Sequence, residues 1–418
     1  MTGIELTQTI ETENRGFTAI PMRYGSAEGA VRLLRATLLV LAIMAVTVAL
    51  LNGLVESLGH SPQFSYTLIG SFAVYVATRP RHRDLTAVVG LGLALRLVYG
   101  ATYGIKPYFG SAVISSGCFV GIVSLTLMAF KAVRNRSFSE FGIAAYFPFV
   151  LIAAGLILPV TNRLSPETFD GHLLAADGVV GFQPSFLVGR LISGHPLLWD
   201  LTSAIYYAVP FAVALLCAVQ FARRPQAVPR LLWLFATMTV VGFCIYVVCP
   251  ATGPRYAFSE TFPFHVPGAD TLSLTEFTVP GAPRNAIPSL HFTTALLVLW
   301  NSLAFGKVGR IAAGLFLAAT MFAVLALGEH YLIDLVVAVP FSLFFQAAFT
   351  ETAPAGSRRS AAMWTSAGLV TAWLLMLRLS PEALTQWPVV TCIALGATAV
   401  VSLLLWGNLR GGGDLCRT

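Results

Sequence analysis

His330 and Asp334 stand four residues apart in "LGEHYLIDLVV", residues 327–337, at the mouth of an apolar run that continues to about Phe349. Residues at i and i+4 share a helix face, so the Asp334 carboxylate can accept the Nδ1 proton of His330 and leave Nε2 as a lone-pair donor. An imidazole oriented in that way suits nucleophilic attack on phosphorus. His291, in "NAIPSLHFTTALL", can then protonate the departing oxygen. Pro288 suits the first turn of a helix, which puts Ser289, Leu290 and His291 at its N-terminus. Free N–H groups and the positive end of the dipole favour a phosphate there. Arg255 and Arg284 are the only cations of segment 250–287, and guanidinium forks suit phosphate oxygens bidentately.

The elements that must position these groups are apolar. Of 418 residues, 56% are hydrophobic and 11% charged, far from the roughly 25% charged fraction of a soluble domain. The expected fold class is an all-α integral membrane protein, because runs of about 17–25 apolar residues read as spanning helices. About twelve are legible, near 33–57, 64–78, 85–104, 109–130, 139–161, 201–222, 228–249, 288–305, 310–328, 330–350, 361–378 and 388–407. An ionisable group within a span costs roughly 2.5–3.5 kcal/mol on insertion scales, so the histidines and Asp334 need a functional reason.

Basic residues collect in cytoplasmic loops. An inside N-terminus sorts nineteen of the 26 Lys and Arg residues to that side, among them Arg223, Arg224, Arg230, Lys307, Arg310, Arg358, Arg359 and Arg410. Seven remain outside or within a span: Arg96, Lys106, Arg163, Arg190, Arg255, Arg284 and Arg378. The net charge of +7 thus reflects topology and contact with anionic membrane lipid, with no basic cluster of the kind that would point to nucleic acid. The six cysteines form no close C-x-x-C pair, which argues for neither zinc nor a disulfide framework. No cleavable leader is expected, since the first thirty residues lack an apolar core.

Two long outward segments, about 162–200 and 250–287, interrupt the short loops, and loops of such length usually carry function. The first could include an interfacial amphipathic helix; the second is rich in Gly and Pro and reads as irregular. The expected organisation is an N-terminal segment with four extra spans (1–138), a six-helix core with both long loops (139–350), and two further spans with a tail (351–418).

"PSLH" followed after about forty residues by "HYLID" resembles the type 2 phosphatidic acid phosphatase superfamily over about 139–350. The family's motifs are Lys-x6-Arg-Pro, Pro-Ser-Gly-His and Ser-Arg-x5-His-x3-Asp. The resemblance implies that His330 is a nucleophile forming a phosphohistidine, Asp334 its orienting partner, and His291 the general acid and then base, with no cofactor and no metal. Leu290 replaces the motif glycine, Val324 stands where the third motif has arginine, and Val248 where the first has lysine. These departures resemble the inositol phosphorylceramide synthase branch, as does "LLAADGVVGFQPS" around Asp177.

Each residue has a plainer alternative. Asp177, Asp170 and His172 could bind a polar head group or simply form a solvated loop face. Arg255 either contacts phosphate or snorkels to the interface, and Arg284 is equally open. Tyr331 and Tyr256 could shape a head-group site, yet aromatics are enriched at interfaces anyway. Glu329 reads as an anchor or loop hydrogen-bond partner.

The expected function is therefore phosphoryl or head-group transfer between an amphiphilic phosphate ester, such as a phospholipid or polyprenyl-type phosphate, and an alcohol acceptor; water as acceptor would make it a phosphatase. Substrate contacts are expected from Arg255, Arg284, Ser289, Tyr331 and Asp177. The expected location is a bacterial inner membrane with both termini cytoplasmic and the site on the periplasmic face. A secondary transporter is the rival class, but no repeated halves are visible, and the ionisable groups gather at one face.

Overall fold

The computed structural model describes residues 62–105, 111–268, 272, 274–350 and 356–411. The span expected near 33–57 lies outside them. The described chain is helical, with one two-stranded ladder.

Four helices precede the site region: α1 (Pro62–Ala77), α2 (His82–Tyr103), α3 (Ala112–Asn135) and α4 (Ser139–Leu164). Helix α1 has 16 residues, about 24 Å at 1.5 Å per residue, short of the roughly 30 Å hydrocarbon core. It is held among its neighbours by packing, with Val74 and Tyr75 buried, and by the Ser71 hydroxyl donating to the Ala144 carbonyl at 2.8 Å. Seven described helical segments are long and apolar enough to cross a membrane, or eight if a bent pair counts as one span.

That pair is α7 (Pro196–Tyr207) and α8 (Val209–Arg223), which meet at 50°. Before it, the first long loop is folded rather than open. It contains β1 (Glu167–Thr168), α5 (Asp170–Gly178) and α6 (Pro184–Ser193). Helix α6 buries Phe186, Gly189 and Ile192 and exposes Leu187, Arg190 and Leu191. Then come α9 (Val228–Val248), the four-residue α10 (Pro254–Ala257), and β2 (Phe277–Thr278). The two long loops are tied together where β1 and β2 pair antiparallel, Glu167 opposite Thr278 and Thr168 opposite Phe277.

Next are α11 (Leu290–Ser302), α12 (Gly306–Ala326) and α13 (Leu332–Ala348). A straight helix over the 37 residues Leu290–Ala326 would span about 55 Å. The His291 and His330 ring centroids are 6.2 Å apart, so the chain must reverse between α11 and α12. The reversal falls at the 3-10 turn Leu303–Phe305 and at Gly306, whose φ of 84° suits glycine. The last helices are α14 (Gly356–Leu379), the short α15 (Ala383–Gln386) and α16 (Pro388–Gly411). Trp373, Leu377 and Leu395 from these helices enter the same buried cluster as Leu173, Phe186, Ile287, Tyr331 and Val337. The helices beyond residue 350 therefore support the elements that carry the histidines.

Candidate active site

His330 lies just before α13, in the turn that follows α12, and its side chain is wholly buried. Its backbone is clamped on both sides. The His330 N–H donates to the Val324 carbonyl at 3.2 Å, and the Ser185 hydroxyl donates to the His330 carbonyl at 2.8 Å. Nδ1 lies 2.8 Å from the Ala286 carbonyl oxygen and 3.5 Å from Asp334 Oδ2. A carbonyl oxygen can only accept, so Nδ1 carries the proton in this contact and Nε2 keeps its lone pair. Nε2 is buried with no hydrogen-bond partner among the described residues.

Orientation of His330 was expected from Asp334 through a shared helix face. His330 precedes the helix instead, and the nearer acceptor is the main chain. Asp334 Oδ2 accepts the Tyr331 N–H at 2.8 Å in a capping box, so this carboxylate also closes the first turn of α13.

Two further carboxylates hold the same turn. Asp177 accepts from the N–H groups of Leu332, at 2.7 Å, and Ile333, at 3.0 Å. Those are orphan donors of a helix start, and a carboxylate there is favoured by the dipole. Asp177 is buried; burial pushes its carboxyl up to about 8, against the pull of those two N–H groups. Its expected role at a head group gives way to one as a helix cap, because both oxygens are engaged beneath the site. The Tyr331 hydroxyl likewise points away, donating to Asp170 Oδ1 at 2.8 Å. Asp170 also accepts from the Thr252 and Gly253 N–H groups and the Thr252 hydroxyl. It thereby fixes the loop that leads into Arg255.

That loop is pressed onto the turn before His330. Arg255 N donates to the Gly328 carbonyl at 2.9 Å. Gly253, at φ 94°, has no room for a side chain, since a Cβ would lie 2.4 Å from the Glu329 carbonyl oxygen. The close approach lets the Arg255 guanidinium donate to Glu329 Oε1 at 3.2 Å. Arg255 remains 42% exposed, so its other donors can reach a ligand. Glu329 is buried and also accepts from the Tyr256 hydroxyl at 3.3 Å and the Tyr206 hydroxyl at 3.4 Å. Burial raises its carboxyl above the ordinary range, while Arg255 pulls it down.

Ser289 is the N-cap of α11, its hydroxyl accepting from Phe292 N at 3.3 Å. Pro288 therefore sits before the cap rather than in the first turn. His291, in that turn, stacks on Tyr206 with centroids 4.0 Å apart and planes at 18°.

Arg284 is the main correction among the candidate residues. It is fully buried, and it donates to the carbonyls of Ser165 at 3.0 Å, Val279 at 2.8 Å, Ala282 at 2.7 Å, and Pro166. It fastens the second long loop to the end of α4 instead of meeting a phosphate. Two of the three motif departures have local accounts, and that of Val248 has none in the structure. Val324 is buried, and its carbonyl accepts from Glu329 and His330. Leu290 occupies space that Gly242 leaves open, where a Cβ would come within 2.6 Å of its methyl. Val248 is exposed at the end of α9. Among the described residues, no group of three His, Cys, Asp or Glu side chains could hold a metal ion.

Tyr206, Ser185 and the Ala286 carbonyl are the contributors that sequence reasoning missed, and Asp170, weighed there as a head-group residue, holds a loop instead. Their partners are remote in sequence. Fold and site together define a polytopic all-α protein with a buried His–Asp pair, a second histidine beside it and one partly exposed arginine. Residues 171–348 match the family model described as the PAP2 superfamily, a stretch that holds every group above except Asp170 and the Ser165 and Pro166 carbonyls. No curated protein and no solved structure matches the chain.

Proposed function

We propose that the chain is a membrane-embedded phosphotransferase acting on an amphiphilic phosphate ester, with an alcohol as acceptor and water as its competitor. The observation that carries this reading is His330, whose Nδ1 proton is held by the Ala286 carbonyl while Nε2 has no partner among the described residues. In the first step the Nε2 lone pair attacks phosphorus and the bond from phosphorus to the leaving oxygen breaks. This step requires His291 to carry a proton, which it gives to that oxygen. In the second step the acceptor hydroxyl loses its proton to His291, its oxygen bonds to phosphorus, and the P–N bond returns its electron pair to Nε2.

Arg255 binds the phosphate oxygens with the donors that Glu329 leaves free and stabilises their charge in the transition state. Arg284, Asp177 and Tyr331 act at a distance, by fixing the loops and the first turn of α13. The substrate enters from the outer leaflet, the side to which the distribution of basic residues assigns the histidines. The resemblance of the motif departures to the inositol phosphorylceramide synthase branch supports transfer to an alcohol over hydrolysis.

The test is product analysis with purified protein, a panel of phospholipids, and inositol, glycerol or a ceramide added in turn. Product that requires the alcohol and disappears in His330→Ala is the expected result. Free phosphate irrespective of alcohol would make the protein a phosphatase, and turnover unchanged by His330→Ala would overturn the reading.

A further inference from the structure

Tyr206, whose ring stacks on His291, lies at the end of α7, and the chain bends there by 50° into α8. A cavity of about 510 Å³ opens at this bend, between α7, α8, α11 and α12 with Tyr66 of α1 at its side. One end of it is walled by Ala204, Ile205 and Ala208, the sequence neighbours of Tyr206. The other end is walled by Val219 of α8 and by Phe305 and Gly309, at the reversal between α11 and α12.

The cavity thus begins at the level of His291 and runs away from it along the helices. Tyr206 and Val219 are separated by about 20 Å at 1.5 Å per residue. On α11, the lining residues Val298 and Ser302 lie about 10 Å and 16 Å beyond His291. One leaflet occupies about 15 Å, half of the roughly 30 Å hydrocarbon core, so a single lipid chain fits the length.

The walls suit the same occupant. Ala204, Ala208 and Ala212 recur every four residues across the bend, and Gly309, Ala312 and Ala313 stand on α12. Small residues of this kind ordinarily let membrane helices close together, but here the space between them stays open. Among the described lining residues none is charged, and the hydroxyls of Tyr66 and Ser302 are the only ones. A sugar or a free phosphate would lose its hydrogen bonds to water in such a wall, whereas a hydrocarbon chain would not.

We propose that this cavity holds one hydrocarbon chain of the phosphate ester whose phosphate meets Arg255 and His330. The inference rests on the reading of the histidines as the reacting site, and it narrows the substrate class to esters with a linear chain of about leaflet length. The plain alternative is a seam filled by bulk lipid, whose chains take no fixed depth. A chain anchored by its phosphate has a fixed register along the cavity.

The test reads that register. The full chain in detergent is mixed with either of two hexadecyl phosphates, one with a photoreactive diazirine close to the phosphate and one with it at the chain end, and cross-linked peptides are mapped by mass spectrometry. The first is expected to label residues 204–208, and the second Val219, Phe305 and Gly309. Hexadecanol is expected to compete about tenfold more weakly than hexadecyl phosphate, because it lacks the group that charge-assisted hydrogen bonds hold. Ala212→Trp with Ala312→Trp narrows the cavity from two walls and is expected to cut chain-end labelling at least about fivefold. Val240→Trp, on an exposed face of α9 outside the cavity, should leave labelling unchanged.

Labelling of the same residues by both compounds, equal competition by hexadecanol, or unchanged labelling in a folded double variant would overturn the proposal. Should that variant not fold, the register of the two compounds in the parent decides. Labelling reports binding and needs no turnover, so the expected register in a protein without turnover would keep the chain site and overturn the reaction.

Discussion

The Nδ1 atom of His330 lies 2.8 Å from the Ala286 carbonyl oxygen and 3.5 Å from Asp334 Oδ2. The main chain is thus the closer partner, and Ala286 is itself held by its N–H donating to the Ala251 carbonyl at 3.0 Å. Asp334 adds charge and closes the helix cap, but the tautomer does not rest on it alone. Where a carboxylate is the chief holder of the tautomer, its amide variant loses about 10⁴-fold in turnover. Asp334→Asn is therefore expected to lose only about 10²-fold. Single-turnover rates on a phosphate ester measure this, and a loss near 10⁴-fold would restore the carboxylate as the main orienting group.

The stack of His291 on Tyr206 yields a second prediction. Aromatic pairs contribute about 0.5–1.5 kcal/mol beyond burial, so Tyr206→Ala is expected to slow turnover about tenfold by loosening the proposed acid. Tyr206→Phe keeps the stack and gives up only the 3.4 Å hydrogen bond to Glu329. It should stay within about threefold of the parent, a margin of roughly 0.6 kcal/mol that fits a weak bond. Equal losses in the two variants would assign the effect to the hydroxyl.

Arg284→Gln separates structure from chemistry. Its donors serve four backbone carbonyls, and hydrogen bonds from a charged group contribute about 1.5–3 kcal/mol each. The variant is expected to lose at least about 3 kcal/mol of stability, read as a lower unfolding temperature, while the folded fraction keeps its KM. A raised KM with unchanged stability would return Arg284 to the phosphate.

Glu329 sets a pH dependence. Burial raises its carboxyl in the folded protein, so the folded state keeps the proton at pH values where the unfolded chain, near 4.3, has released it. The stability tied to that proton is fully present below the unfolded value and declines as pH rises through the folded value. Glu329→Gln carries no titrating proton and should flatten this decline. Thermal unfolding from pH 4 upward, parent against variant, would contradict the account if the two profiles ran parallel.

The sequence displays the parts of the site that are local and leaves out those that are long-range. His291, His330 and Asp334 are legible because they occupy helix starts at readable spacing. The apolar helices are legible because lipid forces long runs of one kind of residue, although α1 falls short of a full span and α11 and α12 depend on a reversal at Gly306. Arg255 and Arg284 look alike in a Gly- and Pro-rich loop. What separates them is Glu329, 74 residues from Arg255, and Ser165, 119 residues from Arg284. Asp177 likewise reveals itself as a cap only through Leu332, 155 residues away. No periodicity or propensity carries such information, because these contacts arise only when the two long loops close over the helix ends.

The most direct test of the central claim is to trap the phosphorylated enzyme. Purified protein is mixed with a phospholipid labelled in its phosphate and quenched in alkali, where phosphohistidine survives, and the labelled peptide is mapped by mass spectrometry. The account predicts acid-labile label on His330, absent from His330→Ala and accumulating in the absence of an acceptor alcohol. Turnover by the parent with no label on His330 at any time point, or label on another residue, would contradict it.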